Sequence, residues 1–138
     1  MSTNSNSPQQ VVQQFLKSLA ERNSYELLQL FSENTDWYIP GDKERAPWLG
    51  RRNSREEIRT FYELLWKNTQ PVSAQIDHTL TDKDTAIITG EFKTKMLQTN
   101  KIVESPFCIQ MTVENGLITR YLILEDSYAV SEPMKSPD

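Results

Sequence analysis

From Pro8 to Trp66 apolar residues recur every three or four positions, and from Val72 onward they alternate with polar ones. The first spacing marks amphipathic helices and the second half-buried strands. Ser7 stands as an N-cap with Pro8 at the first helical position and Gln10 three residues on, a capping box. Val12, Phe15, Leu16 and Leu19 then predict a helix to about Glu21. Asn23 with Glu26 repeats the cap, and Leu27, Leu28 and Phe31 predict a short second helix ended by Asn34. A short strand over Asp36–Ile39 breaks at Pro40-Gly41, and a charged loop over 41–52 carries Trp48 and a Gly-Arg-Arg. Asn53 or Ser54 caps a third helix that runs to Trp66, with Ile58, Phe61, Tyr62 and Leu65 as its apolar stripe. Pro71 closes this helical half.

The second half reads as four strands. Val72, Ala74, Ile76, His78 and Leu80 fall on one face of the first, Val72–Thr81. Thr85–Leu97 follows a turn at 82–84, and Gly90 within it marks a bulge or a close approach. Thr99-Asn100 leads into a strand over Lys101–Val113. Asn115-Gly116 is the strongest hairpin signal, since both residues tolerate the positive φ of a type I′ turn. The last strand runs from Leu117 to about Tyr128. Helices first and an antiparallel meander second indicate an α+β fold, a bent sheet wrapped around the helices to form a cone closed by the 41–52 loop. Phe107–Val113 and Leu117–Leu124 are apolar on both faces, which predicts a homodimer through the outer face of the sheet.

Composition narrows the function classes. A chain of 138 residues with net charge −4 fits one domain over residues 8–130, with a disordered lead-in at 1–7 and a polar tail at 131–138. Its basic residues are scattered apart from Arg51, Arg52 and Arg55, which argues against nucleic acid as a partner. The start, MSTNSNS, lacks the apolar run of a signal peptide, and no stretch approaches membrane-spanning length, so a cytoplasmic protein with no membrane partner is expected. Cys108 is the single cysteine and His78 the single histidine. That excludes an internal disulfide and leaves too few ligands for a zinc site. With no phosphate loop or nucleophile elbow either, neither metal nor cofactor is expected.

The runs VVQQFLKSLAERNSYELLQLFSENTDWYIPG, PWLGR, SREEIRTFYELL and NGLITRYLILEDSYAV resemble the nuclear transport factor 2-like superfamily. Within it they are most similar to the SnoaL-like and ketosteroid isomerase-related proteins, over about residues 8–130. The resemblance implies the cone-shaped, cystatin-like fold with three N-terminal helices on a bent antiparallel sheet. It leaves activity open, because this superfamily hosts isomerases, polyketide cyclases, epoxide hydrolases, dehydratases and non-catalytic binding modules. Aligned with the steroid isomerases, Phe15 and Cys108 fall at the two oxyanion-donor positions and Ile39 at the base. Phe15 and Ile39 have no proton to exchange and a thiol is a weak donor, so steroid isomerase activity is not expected. Aligned with the SnoaL-type cyclases, Glu125 and Asp126 match the acidic general acid/base late in the sheet. Tyr121, Ile123 and Glu125 fall on the pocket face with Asp126 outward, an assignment that a bulge would reverse.

The expected ligand pocket comprises Trp37, Trp48, Phe61, Tyr62, Phe92 and Tyr121, with Phe15, Ile39, Cys108 and Gln110. Trp37 and Trp48 read equally as ligand platforms or as core. Gln110 serves a ligand, a neighbouring strand or a dimer partner. Cys108 reads first as a small core residue. His78 is either a proton carrier beside Glu125 and Asp126 or a structural histidine. Two functions stay open. One is a cofactor-independent acid/base enzyme of cyclase, isomerase or hydratase type, acting on an apolar cyclic or polyketide-like substrate. The other is a non-catalytic module holding a small apolar or aromatic molecule, or serving dimerisation.

Overall fold

The computed structural model describes residues 6–41, 44 and 48–126. Most of the lead-in, part of the 41–52 loop, Tyr128 and the 131–138 tail lie outside the described residues. The elements are α1 (Pro8–Ala20), α2 (Ser24–Gln29), β1 (Phe31–Ile39), β2 (Gly50–Arg52), α3 (Arg55–Asn68), β3 (Thr69–Asp82), β4 (Thr85–Met96), β5 (Lys101–Glu114) and β6 (Leu117–Glu125). All six strands join one curved sheet in the order β2-β1-β6-β5-β4-β3, which makes the fold α+β. No helix among the described residues is long and apolar enough to cross a membrane.

The helix starts are local in origin. Ser7 Oγ accepts from Gln10 N–H at 3.2 Å, and Gln10 Oε1 accepts from Ser7 N–H at 2.8 Å, closing the capping box of α1. Asn23 and Ser54 cap α2 and α3 by accepting from Glu26 N–H and Glu57 N–H. The end of α2 differs from the sequence reading. The helix stops at Gln29, and Phe31 opens β1 instead of extending the helix to Asn34. Pairing with a distant strand decides this: Leu30 C=O accepts from Ile118 N–H at 2.7 Å, and Phe31 lies opposite Ile118. The Arg55 guanidinium at the start of α3 donates to Phe31 C=O at 2.6 Å, tying the third helix to the same corner.

β1 runs parallel to β6, whereas every other strand pair is antiparallel. Gly50–Arg52, read from sequence as part of a loop, forms the edge strand β2 against Trp37–Ile39. At the other edge, β3 lacks the simple alternation expected of it. Register shifts between Pro71 and Ser73 and between Ile76 and His78 add a residue each. Ala74 and Ile76 share a face with Phe92 and Gly90, but beyond the second bulge His78 and Leu80 pair with Thr89 and Ile87 on the opposite face.

Gly90 makes the close approach that its position in a strand implied. A Cβ there would collide with the Gln75 carbonyl oxygen and come within 2.9 Å of Phe107 Cζ. Gly90→Ala is expected to destabilise the fold by about 1–3 kcal/mol through forced strand separation, read as a lower urea midpoint at unchanged slope.

The inner face of the sheet packs on the helices. Phe15, Phe31, Trp37, Phe61, Tyr62 and Tyr121 are all buried. On the outer face Ile87, Cys108 and Leu122 are half-buried, whereas Leu80 and Leu124 are 61% and 43% exposed.

Candidate active site

Tyr121, Ile123 and Glu125 alternate on β6 and pair with Met111, Ile109 and Phe107 of β5, so all three point to the inner face. The one irregularity of this pair lies between Thr112 and Val113, before Tyr121, and leaves the later alternation intact. Asp126 lies past the strand end and is exposed; its backbone N–H donates to Ser105 Oγ at 2.9 Å.

Trp37 sits at the centre of the cluster because β1 lies beside β6, which sets Trp37 opposite Tyr121. Their rings stack at 4.2 Å and 15°. Phe61 and Tyr62, adjacent on α3, approach Trp37 with ring centroids at 4.8 and 5.8 Å. Phe15 of α1 reaches Tyr121 at 5.8 Å. Ile39 and Trp48 are buried at the β1–β2 corner, where Trp48 C=O accepts from the Arg52 guanidinium at 2.8 Å. Phe92 is half-buried beside Phe107, 6.2 Å between ring centroids. The aromatic side chains of four different elements therefore touch one another directly. They form a packed wall more than the lining of an open chamber.

The electrostatics single out one carboxyl. Burial strips water from Glu125 and pushes its pKa up to about 7. Desolvation disfavours the charged form, so the group is poised between acid and base near neutral pH. Burial, followed by the Glu125 charge, raises the Tyr121 hydroxyl, and burial followed by Tyr121 raises Tyr62 well above the usual phenol range. Both phenols therefore stay protonated. Tyr62 Oη and Trp37 Nε1 are buried with no hydrogen-bond partner.

Besides Asp126, three sequence candidates are not brought to this cluster. His78 is exposed on the edge strand, turned to the outer face by the bulge before it. Cys108 pairs with Thr89 and Leu124, and Gln110 with Ile87 and Leu122, which puts both on the outer face. Their neighbours Phe107 and Ile109 take the inner positions instead, so Cys108 cannot stand where an inward-facing donor would. Phe107, opposite Glu125, belongs to the site although sequence reasoning passed it over. The close approach at Gly90 was the available signal, because something had to fill the space that a side chain would have occupied. Among the described residues, no group of His, Cys, Asp or Glu side chains is arranged to hold a metal ion. Two clefts of about 290 and 470 Å³ open on the far side of α1 and α2, lined by polar residues such as Gln14 and Glu26, away from Glu125.

This arrangement is an α+β fold with an inward carboxyl late in a curved sheet. The chain belongs to the SnoaL-like domain family, whose model matches residues 12–121. Solved structures agree at the level of fold. An NTF2-like protein from Burkholderia xenovorans superposes with a TM-score of 0.84 at 16% identity, covering 97% of this chain and 100% of its own. A Mesorhizobium loti protein with the provisional name SnoaL-like polyketide cyclase gives 0.71 at 14% identity, covering 86% and 98%. TerC, co-crystallized with polyporic acid, gives 0.79 at 14% identity, covering 94% and 98%. Comparison with curated proteins gives no match.

Proposed function

We propose that this protein binds a small, flat, apolar or aromatic molecule in its cone and moves a proton on it with Glu125, as a cofactor-independent enzyme of cyclase, isomerase or hydratase type. The observation that carries this reading is the desolvated Glu125 carboxyl, inward on β6 and poised at about 7 beside the Tyr121–Trp37 stack. A carboxyl in solution would be almost fully ionised at neutral pH; this one can both take and return a proton. Asp126 and His78, both exposed, lack that environment. Polyporic acid, the aromatic named with TerC, is the first probe. It should quench tryptophan fluorescence saturably, and Glu125→Gln should keep that binding while abolishing turnover of an enolisable polyketide-type substrate. Loss of neither would refute the assignment. The direct ring-to-ring contacts favour a second reading, a non-catalytic module on the same fold; absence of any saturable quenching would select it.

Steroid isomerisation is not part of this proposal. Phe15 is buried against Tyr121, and Phe107 and Ile109 flank the outward Cys108, so none of these positions offers a donor. A β,γ-unsaturated ketosteroid should turn over no faster than in buffer.

The same proposal includes a homodimer through the outer sheet face, where Leu80, Leu124, Ile87 and Leu122 leave apolar surface facing water. Sedimentation at micromolar concentration should give twice the 16.0 kDa of the chain. A monomer would remove the dimer and leave the Glu125 assignment standing.

A further inference from the structure

A buried hydroxyl is costly unless its hydrogen-bonding capacity is used. Ser105 is 2% exposed and uses both sides of its hydroxyl at one place. Its Oγ accepts from Asp126 N–H at 2.9 Å and donates to Pro106 C=O at 2.7 Å. Asp126 directly follows Glu125, the last residue of β6, so the serine ties down the backbone where the pairing with β5 stops. Pro106, the next residue of β5 in that direction, has no N–H to contribute to the sheet. We propose that Ser105 is a positioning residue for Glu125: its hydroxyl holds the end of β6 against β5, so that the Glu125 carboxyl stays inward and away from water. This rests on Glu125 being the proton carrier, and it names the side chain that keeps it in place.

Three features carry the assignment. The placement is close. Phe107 lies opposite Glu125, and Ser105, two residues back on the same strand, stands diagonal to Glu125 on the inner face, opposite Phe92. The position is also vulnerable, because strand ends fray at little cost unless something fastens them. Finally, the Glu125 environment depends on geometry. Burial is what raises its carboxyl, so a backbone that drifts outward restores water and ordinary acidity. Tyr121 faces Glu125 from the inner side of β6 and stays protonated, whereas Glu91, Lys93 and Glu104 alternate onto the outer face. Ser105 itself carries no charge, so it acts on Glu125 through the backbone.

The test compares the full wild-type chain with Ser105→Ala, Ser105→Thr and Ser105→Val. The Glu125 carboxyl is titrated by carbon-13 NMR, with its resonance assigned from Glu125→Gln, and hydrogen exchange is followed at the Asp126 amide. The wild-type carboxyl should titrate near 7. Ser105→Ala should weaken its proton affinity roughly tenfold, moving the midpoint toward 4.5, and speed Asp126 exchange by about as much. Ser105→Thr keeps the hydroxyl and should stay near the wild type. Ser105→Val has the shape of threonine without the hydroxyl and should follow alanine. Equal midpoints in the threonine and valine variants would overturn the role of the hydroxyl. An unmoved midpoint in Ser105→Ala, whatever its melting temperature, would show that Ser105 serves the fold alone; the proposal would fall and the Glu125 assignment would stand. A wild-type carboxyl that titrates near 4.5 would remove the Glu125 assignment, and the positioning role with it.

Discussion

Glu125→Gln is expected to flatten the pH dependence of stability between about pH 4.5 and 7. The wild-type carboxyl titrates near 4.5 when exposed and at about 7 in the fold, raised by burial. Between those values the folded chain holds a proton that the unfolded chain has released, so stability falls as pH rises. The contribution is whole below about 4.5 and gone above about 7. At 1.36 kcal/mol per unit, and with the side chain half-buried, its size is on the order of 2–3 kcal/mol. Glutamine cannot ionise, so the variant should lose this slope and equal or exceed the wild type at pH 8. Urea midpoints at pH 4.5, 6 and 8 measure it. An unchanged slope would show that the carboxyl is solvated, and the proton-transfer role would lose its physical basis with it.

Trp37→Ala should be the most destabilising single substitution in the core, at about 3–5 kcal/mol. Trp37 is fully buried and its ring meets those of Phe31, Phe61, Tyr62 and Tyr121. Those partners come from β1, α3 and β6, so local repacking cannot close the space a methyl group would leave. In a domain of this length the melting temperature should fall by on the order of 10–20 °C. Trp37→Phe keeps a ring in place and should cost about half as much. A small effect of the alanine variant would mean that the wall around Glu125 collapses readily, and that its rings are not fixed in the positions described.

What could be read from the sequence alone was what depends on neighbours along the chain. Ser7, Asn23 and Ser54 announce their helices because a cap acts within three residues. Asn115 and Gly116 announce their hairpin because both take positive φ, 54° and 77°. The class of fold follows from that order of elements, and the family from the residues that build it. Glu125 was legible as a candidate because alternation from Tyr121 needs no knowledge of the rest of the sheet.

Partners far away in sequence decided the remainder. Phe31 left the second helix because its backbone pairs with Ile118, and β2 exists only because Trp37–Ile39 offered it an edge. His78 carries the same apolar alternation as Ile76, and one extra residue in the bulge turned it to the other face. Cys108 and Gln110 sit in a strand apolar on both sides, so periodicity could not say which side was inside; pairing with Thr89 and Ile87 did. The unpartnered donors on Trp37 and Tyr62 are the extreme case. A hydrogen bond left unmade is a property of everything packed around an atom, and only the tertiary structure contains it.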